Sequence, residues 1–390
     1  MSKVIFILRR YCPGEAWTNR TLAYAKGLAE CGADVRIYYL ISDKKRSIYS
    51  IDIPNVQIFD LWKDNIGLCK FNRYLSYIVN LLRVIKYINP GDSIFLYGGD
   101  YIQLKILNTF CKKAYIYTEI TEHPDIVNRS GVGNRILIYR NRILKDIQGI
   151  FVISQSLRNY FISQGIPENK IYIINMFVDA DRFKNLIKST EQKYIAYCGA
   201  VSYEKDGVDL LIRAFSIFYQ SHPDYILKIF GNGVAPDVLP RLKKLASLLN
   251  VGNSVVFSGK IEPERIPQLL CDASIMVLAR PNNLQAQNGF PTKLGEYLAT
   301  GNPVVVTRVG DIPLFIRDKE NGFLATPDDP EDFAQKLSWI ANNYDTALQI
   351  GKEGQKLVMN EFSYKTQSYK VFNILSSTYK CNFLGADNKQ

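Results

Sequence analysis

The stretch 288–307, NGFPTKLGEYLATGNPVVVT, holds a single carboxylate, Glu296, inside an otherwise small and apolar helical pattern. Gly289, Phe290 and Pro291 form a loop in front of it, and Thr292, Lys293 and Leu294 open the helix. The first amides of a helix lack carbonyl partners and lie at the positive end of its dipole, so they attract anions. Gly289 lets the backbone approach a ligand closely. A diphosphate is the anion that best fits such a start. Glu296, one turn further in, is an acceptor with two oxygens and suits a pair of vicinal hydroxyls, such as those of a ribose.

A second group of candidates lies upstream. In YCGAVSYEKDGVDLLIRAF, Gly199 ends a strand and Lys205 stands shortly before the next helix. Lys205 is either a point charge for a phosphate or a solvated loop lysine. Gly231, in IFGNG, is another strand-end glycine, and Gly-x-Gly turns are common.

These residues need elements to hold them. YIAYCGAV, YILKIFG, SVVFSG, SIMVLA, NPVVVT and GFLAT read as strands, alternating with helical patterns at 208–219, 240–250, 263–273 and 330–343. That rhythm predicts a parallel sheet covered on both faces, with ligands at the carboxyl ends of its strands. The first half repeats it with VIFIL, a helix near 18–31, DVRIYYLI, SIFLYGG, KAYIYTEI and GIFVIS. Within that half, 74–88 predicts a helix whose apolar face is 75, 78, 79, 82, 85 and 88. The sequence favours a core-facing role for it over a membrane-surface one.

At 390 residues the chain calls for two domains, placed at 1–185 and 186–361. The helical tail 362–380 is expected to pack back on the first. Seven scattered cysteines without a C-x-x-C pair fit a reducing cytosol. MSKVIFILRRYC reads as a first strand and not as a signal peptide. The net charge of +11 is uneven: 26 Lys+Arg against 16 Asp+Glu up to residue 185, and 22 against 21 beyond it. The basic half suits an anionic partner, or is simply a basic soluble surface. Dispersed basic residues and the lack of a binding module speak against nucleic acid.

Taken together, GAVSYEKDGVDLLIRAF, KIFGNG, VVFSG, GFPTKLGEYLATGNPVVVTRVGDIP and NGF, in that order across 194–330, resemble family 4 retaining glycosyltransferases. The first half matches only in layout, although VDADRF is similar to the family's interdomain segment. The resemblance implies an α/β GT-B fold, two Rossmann-like doubly wound domains facing a central cleft. The first domain would bind the acceptor and the second a nucleotide-sugar. It implies Glu296 on the ribose, Lys205 on the diphosphate, and the amides from Gly289 to Leu294 on phosphate and sugar. Gly14, in YCPGEAW, would approach the phosphates from the first domain.

The chain departs from the family in two places. The first Glu of the family's pair is Asn288 here, and the basic residue after the strand-end glycine is Ala200. Arg280 is a candidate to take over that charge. The family often places a histidine near the transferred sugar. His123, with Glu119 and Glu122 beside it, follows a strand and fits that position; the alternative is an ordinary polar turn. His222 reads as a surface turn residue, and Asp179–Asp181 as a structural Asp-x-Asp in the connector.

The resemblance therefore implies a hexosyltransferase working with retention. Its donor would be a nucleotide-sugar, a UDP-sugar favoured over a GDP-sugar, and its acceptor a saccharide, lipid-linked in this expectation. The setting would be capsule, exopolysaccharide or O-antigen synthesis at the cytoplasmic face of the cell membrane. No metal or other cofactor is expected. A catalytically weak glycosyltransferase-like partner subunit and a nucleotide-sugar epimerase on the same fold are the alternatives.

Overall fold

The computed structural model describes residues 3–12, 15–41, 52–61, 73–98, 100–128 and 134–386. The chain divides into two compact units, 1–175 with 364–390, and 176–363. The first break falls ten residues before the 185 read from the sequence. The connector segment has apolar anchors in the second unit: Val178 donates its amide to Phe362 O at 2.8 Å, and Met176 and Val178 lie against Gly295.

The first unit is built on seven parallel strands: β1 (Val4–Leu8), β2 (Val35–Tyr39), β3 (Val56–Asp60), β4 (Ser93–Tyr97), β5 (Tyr115–Ile120), β6 (Gly149–Val152) and β7 (Ile171–Ile173). Their order is β3-β2-β1-β4-β5-β6-β7. β1 is wholly buried, which explains its unbroken apolar run: a parallel strand covered on both faces has no wet side to alternate with. β3 is not among the strands predicted from the sequence. It is an edge strand in which Gln57 and Asp60 interrupt the apolar pattern, and no residue of it is fully buried.

The second unit has six parallel strands: β8 (Tyr194–Cys198), β9 (Ile226–Phe230), β10 (Val255–Gly259), β11 (Ile275–Leu278), β12 (Val304–Thr307) and β13 (Phe323–Ala325). Their order is β10-β9-β8-β11-β12-β13. All six were predicted, and so was the helix Val208–Tyr219. In both sheets the order reverses once, between β1 and β4 and between β8 and β11, and such a switch point opens a crevice at the carboxyl ends of the strands.

Two helices correct or extend the sequence reading. The helix Arg73–Ile85 buries Tyr77, Leu81 and Val84, while Leu75 and Leu82, from the predicted core face, are 46% and 43% exposed. Asn80 turns the helix this way, because its amide reaches Leu40 O at 2.7 Å inside the core. An apolar stripe is thus left outside, with Tyr74 also exposed. The last helix, Tyr364–Ala386, lies against the helix Ala16–Glu30 of the same unit: the Tyr364 hydroxyl donates to Glu30 at 2.9 Å, and the Lys26 ammonium sits 4.3 Å from the Tyr364 ring centroid.

Candidate functional site

The switch point of the second unit gathers most of the candidates. Gly199 follows β8, and Ala279 and Arg280 follow β11. Between them Gly207 begins the helix Val208–Tyr219 with φ +61°, a left-handed conformation that disfavours a side chain. A Cβ there would also strike the Ala279 carbonyl, so glycine lets the helix start press against the end of β11.

The helix Thr292–Ala299 brings in the opening motif. Its Tyr297 is fully buried and locks the helix to β8: the hydroxyl accepts from the Cys198 amide at 2.8 Å and donates to the Cys198 carbonyl at 2.9 Å. One turn earlier the side chain of Lys293 runs back across Gly199. Its ammonium pairs with Asp206 and lies 3.3 Å from the Tyr197 hydroxyl, which is itself 2.8 Å from Asp206. Sequence reasoning took Lys293 only as a backbone donor and passed over Asp206 and Tyr197. The one signal available for Asp206 was its place directly after Lys205.

Charge is unevenly shared here. Burial raises the Asp206 carboxyl, but the charge and hydrogen bond of Lys293, with Arg280 and Tyr197, outweigh it and hold the group below its ordinary range. Burial lowers the Lys293 amine, Asp206 opposes this, and nearby Lys205 and Arg280 lower it further. Lys293 and Arg280 thus act on the Asp206 carboxylate, and the Lys293 ammonium acts on Glu296 as well. Arg280 is buried and spans from the Lys205 carbonyl at 3.4 Å to the Gln285 carbonyl at 3.3 Å, while Lys205 itself is exposed.

The amide cradle is narrower than expected. Gly289 N–H is spent on Gln285 O at 3.0 Å, closing the short helix Leu284–Asn288, and Leu294 N–H on Pro291 O at 3.1 Å. Pro291 has no N–H. Phe290, Thr292 and Lys293 remain as amide donors without a backbone partner among the described residues. The Phe290 ring belongs to the core, 5.4 Å from that of Phe315 and 5.6 Å from that of Phe362. Leu294 is fully buried. Asn288 is buried and donates its side-chain amide to Leu284 O at 2.9 Å, a bond that the family's Glu cannot make. Gly231 lies close behind Gly199, whose carbonyl a Cβ at Gly231 would strike.

Glu296 stands beside Cys198 with a third of its side chain exposed. It pairs with Arg182 of the connector turn Ala180–Phe183 at 2.8 Å, and Arg182 also donates to Pro263 O at 2.9 Å. Burial raises the Glu296 carboxyl, and Arg182 and then Lys293 pull it back. Arg182 is a residue that sequence reasoning missed, since it sits 114 positions from its partner.

In the first unit the three expected neighbours part company. Glu119, in β5, is fully buried. Its Oε1 accepts from Arg20 Nε at 2.9 Å and Nη2 at 2.7 Å and from the Tyr24 hydroxyl at 2.5 Å. Arg20 continues to the carbonyls of Ile174 at 2.7 Å and Asn175 at 2.6 Å. Glu119 is thus a clamp between β5, the helix Ala16–Glu30 and the segment after β7, and of the three neighbours named from the sequence it is the one held inside the core. Glu122 is half-buried on the turn after β5. His123 is buried, stacked edge-on to Tyr160 at 4.5 Å, and its Nδ1 accepts the Asp125 amide at 3.3 Å. That bond assigns the ring proton to Nε2. Burial lowers the imidazole below its ordinary value, against the pull of Asp125, so it is neutral at pH 7. Gly14 lies outside the described residues.

Comparison with known proteins bears on this geometry. The family described as Glycosyl transferases group 1 matches residues 178–357. An uncharacterized glycosyltransferase of Methanocaldococcus jannaschii is 24% identical over 239 residues, 58% of this chain and 59% of the relative. The poly(ribitol-phosphate) alpha-N-acetylglucosaminyltransferase of Staphylococcus aureus is 23% identical over 319 residues, 81% of this chain and 60% of the relative. The chain thus spans about three fifths of the length of these curated relatives. The crystal structure of Anabaena HepE in complex with UDP superposes with a TM-score of 0.75 at 17% identity, covering 96% of this chain and 100% of that one. At that identity the likeness speaks to fold: two Rossmann-like sheets of the GT-B class.

Proposed function

We propose, for a chain whose residues 178–357 belong to the glycosyl transferases group 1, that it transfers a hexosyl group from a nucleotide-sugar to a saccharide acceptor. The observation that carries the reading is the switch-point cluster of the second unit. There, cations and unpartnered helix-start amides stand within one site with a carboxylate suited to ribose hydroxyls. The amides of Phe290, Thr292 and Lys293, together with Lys205, would meet the diphosphate. Glu296 would accept the ribose hydroxyls. A UDP-sugar is the favoured donor, in line with a structural neighbour that binds UDP. With the phosphates met by cations and amides, the chemistry needs no metal.

Retention, a lipid-linked acceptor and a place in surface polysaccharide assembly belong to the same proposal. A relative acting on poly(ribitol-phosphate) supports a surface-polymer acceptor. The exposed stripe of Tyr74, Leu75 and Leu82 beside Arg83 supports contact with an anionic membrane at the cytoplasmic face. No helix among the described residues is long and apolar enough to cross one. In the first unit, His123 in its charge-free form, and Glu122, are the groups proposed to hold an acceptor or sugar hydroxyl.

The test is incubation with UDP- and GDP-sugars, with and without saccharide acceptors, following release of the nucleotide. Donor-dependent release by the wild type, lost in Glu296→Ala, is the expected result. Tight nucleotide binding without any release would replace the reading by a catalytically weak partner subunit, for which the self-bonded Asn288 is the supporting observation. Release of nothing and binding of nothing would remove the donor site altogether.

A further inference from the structure

We propose that Arg140, in the first unit, is an oxyanion site, and that the anion it takes is a phosphate or carboxylate carried by the saccharide acceptor. This rests on the acceptor reading above and adds a charge to that acceptor.

The first argument is an unmet charge. Arg140 lies in the helix Asn134–Asp146 and is 5% exposed. Its Nε and Nη2 are sealed from solvent and make no hydrogen bond. Among the described residues no carboxylate acts on the guanidinium, and the group that does is the Tyr160 hydroxyl. Burial raises that hydroxyl above its ordinary value of 10.0, so at pH 7 it is neutral and leaves the positive charge standing. A buried cation without a counter-ion is strongly unfavourable, and a guanidinium does not shed its proton to escape.

The second argument is the contrast with Arg20. That residue is as deeply buried, at 4%, but this chain supplies its partners: Nε and Nη2 both donate to Glu119, and Nη1 and Nη2 reach two backbone carbonyls. The two unbonded nitrogens of Arg140 form the same Nε–Nη2 edge. That edge is one that takes a two-oxygen anion side-on. A carboxylate of the fold meets it in Arg20, and no described group of the fold meets it in Arg140.

The third argument is place. Asn141 Nδ2 donates to Gln164 at 3.3 Å, and Lys170 donates to the carbonyls of Lys145 at 2.7 Å and Ile147 at 2.9 Å. The helix that carries Arg140 is thereby tied to the end of the helix Gln155–Ser163 and to the turn before β7. Tyr160, on that second helix, links the guanidinium to the segment after β5, since its ring lies 4.5 Å from that of His123. Asp125, two residues further on and 67% exposed, acts on Tyr160 and His123 but not on Arg140. Tyr160 is half-buried, so an anion reaches Arg140 by the turn of one side chain. One saccharide could then present its oxyanion to Arg140 and a hydroxyl to His123. The basic excess of the first half draws such a ligand in.

The experiment uses the full chain as wild type, Arg140→Met and Arg140→Lys. UDP affinity is read first and should be equal in all three. Calorimetric titration in excess UDP then compares glucose 6-phosphate, glucuronate, inorganic phosphate and uncharged glucose, and melting curves follow the fold. The wild type should bind one charged sugar at least about tenfold tighter than glucose and than inorganic phosphate, and which one binds tells phosphate from carboxylate. Arg140→Met should abolish that preference, and Arg140→Lys, which keeps the charge without the fork, should retain part of it. Arg140→Met should melt no lower than the wild type, because it removes a buried charge that has no partner. An Arg140→Met chain that melts well below the wild type, or does not fold, marks the guanidinium as a structural tie and overturns the proposal. A preference that is missing from the wild type, or that survives in Arg140→Met, overturns it as well. Inorganic phosphate bound as tightly as the charged sugar overturns the acceptor assignment in favour of a free-phosphate site. An Arg140-dependent preference in a chain that binds no UDP supports the oxyanion site and overturns the donor reading alone.

Discussion

The two units each carry a buried cation–carboxylate–tyrosine triad next to a central strand, and the two triads are built to opposite ends. In the first unit Arg20, Glu119 and Tyr24 are closed: the ion pair is 3% and 0% exposed, and the guanidinium spends its remaining donors on two backbone carbonyls. In the second, Lys293, Asp206 and Tyr197 are open on the cation side and flanked by Lys205 and Arg280. Arginine suits the first task because its planar fork satisfies several acceptors at once; lysine suits the second because a compact ammonium on a flexible stem can change partner. The difference separates an ion pair sealed inside the core from one whose cation reaches the surface, although both look alike as residue types.

Breaking the closed triad should have the largest effect. Glu119→Ala leaves Arg20 without its carboxylate inside the core and should cost the first unit about 3–5 kcal/mol. Urea unfolding followed by a probe in that unit measures it, and a loss below about 1 kcal/mol would mean that the site is solvated and the contrast is false. Tyr24→Phe removes one charge-assisted hydrogen bond from the same triad and should cost about 1.5–3 kcal/mol in the same assay.

The open triad should tolerate more. Asp206→Asn should cost the second unit only about 1 kcal/mol, because the freed ammonium can turn to water or to a buffer anion. Added phosphate should recover part of that loss, whereas it should do nothing for Glu119→Ala. Melting curves with and without phosphate decide this.

The smallest effect sharpens the comparison by pH. The folded Asp206 carboxyl lies below its ordinary value of 3.8. A depressed carboxyl stabilises the folded state above the unfolded value, and that contribution is lost as pH falls through the folded value. Acid melting of the wild type should therefore steepen below 3.8, and Asp206→Asn should melt with a flatter dependence there. Equal slopes would show that the pairing of Asp206 with Lys293 does not depress the carboxyl.

Most of the second unit was legible before any coordinates. Its strands are short apolar runs flanked by glycine and helix-period segments, so local pattern and tertiary structure agree, and all six strands and the helix Val208–Tyr219 fall where the sequence puts them. The first unit was less legible where a polar residue carries the packing. Asn80 rotates the helix Arg73–Ile85 because it hydrogen-bonds inside the core, and a hydrophobic stripe cannot reveal which of two apolar faces such a bond selects. β3 escaped because an edge strand needs no continuous apolar run.

The candidate site divides along the same line. Glycines and helix-start residues declare themselves by type and spacing, so Gly199, Gly289 and the Thr292–Lys293 helix start could be read directly. Sequence by itself determined the strand–helix alternation, the switch-point loops and the presence of Glu296 and Lys205 at them. Only the tertiary structure decided which charges meet. Arg182 reaches Glu296 across 114 residues, Lys293 reaches Asp206 across 87, and Arg20 reaches Glu119 across 99. Propensity and periodicity act over one or two turns, whereas these pairs are fixed by strand order and by the burial of each group. That is why Glu119 reads in the sequence only as a strand-end neighbour of His123 and is a closed clamp in the fold.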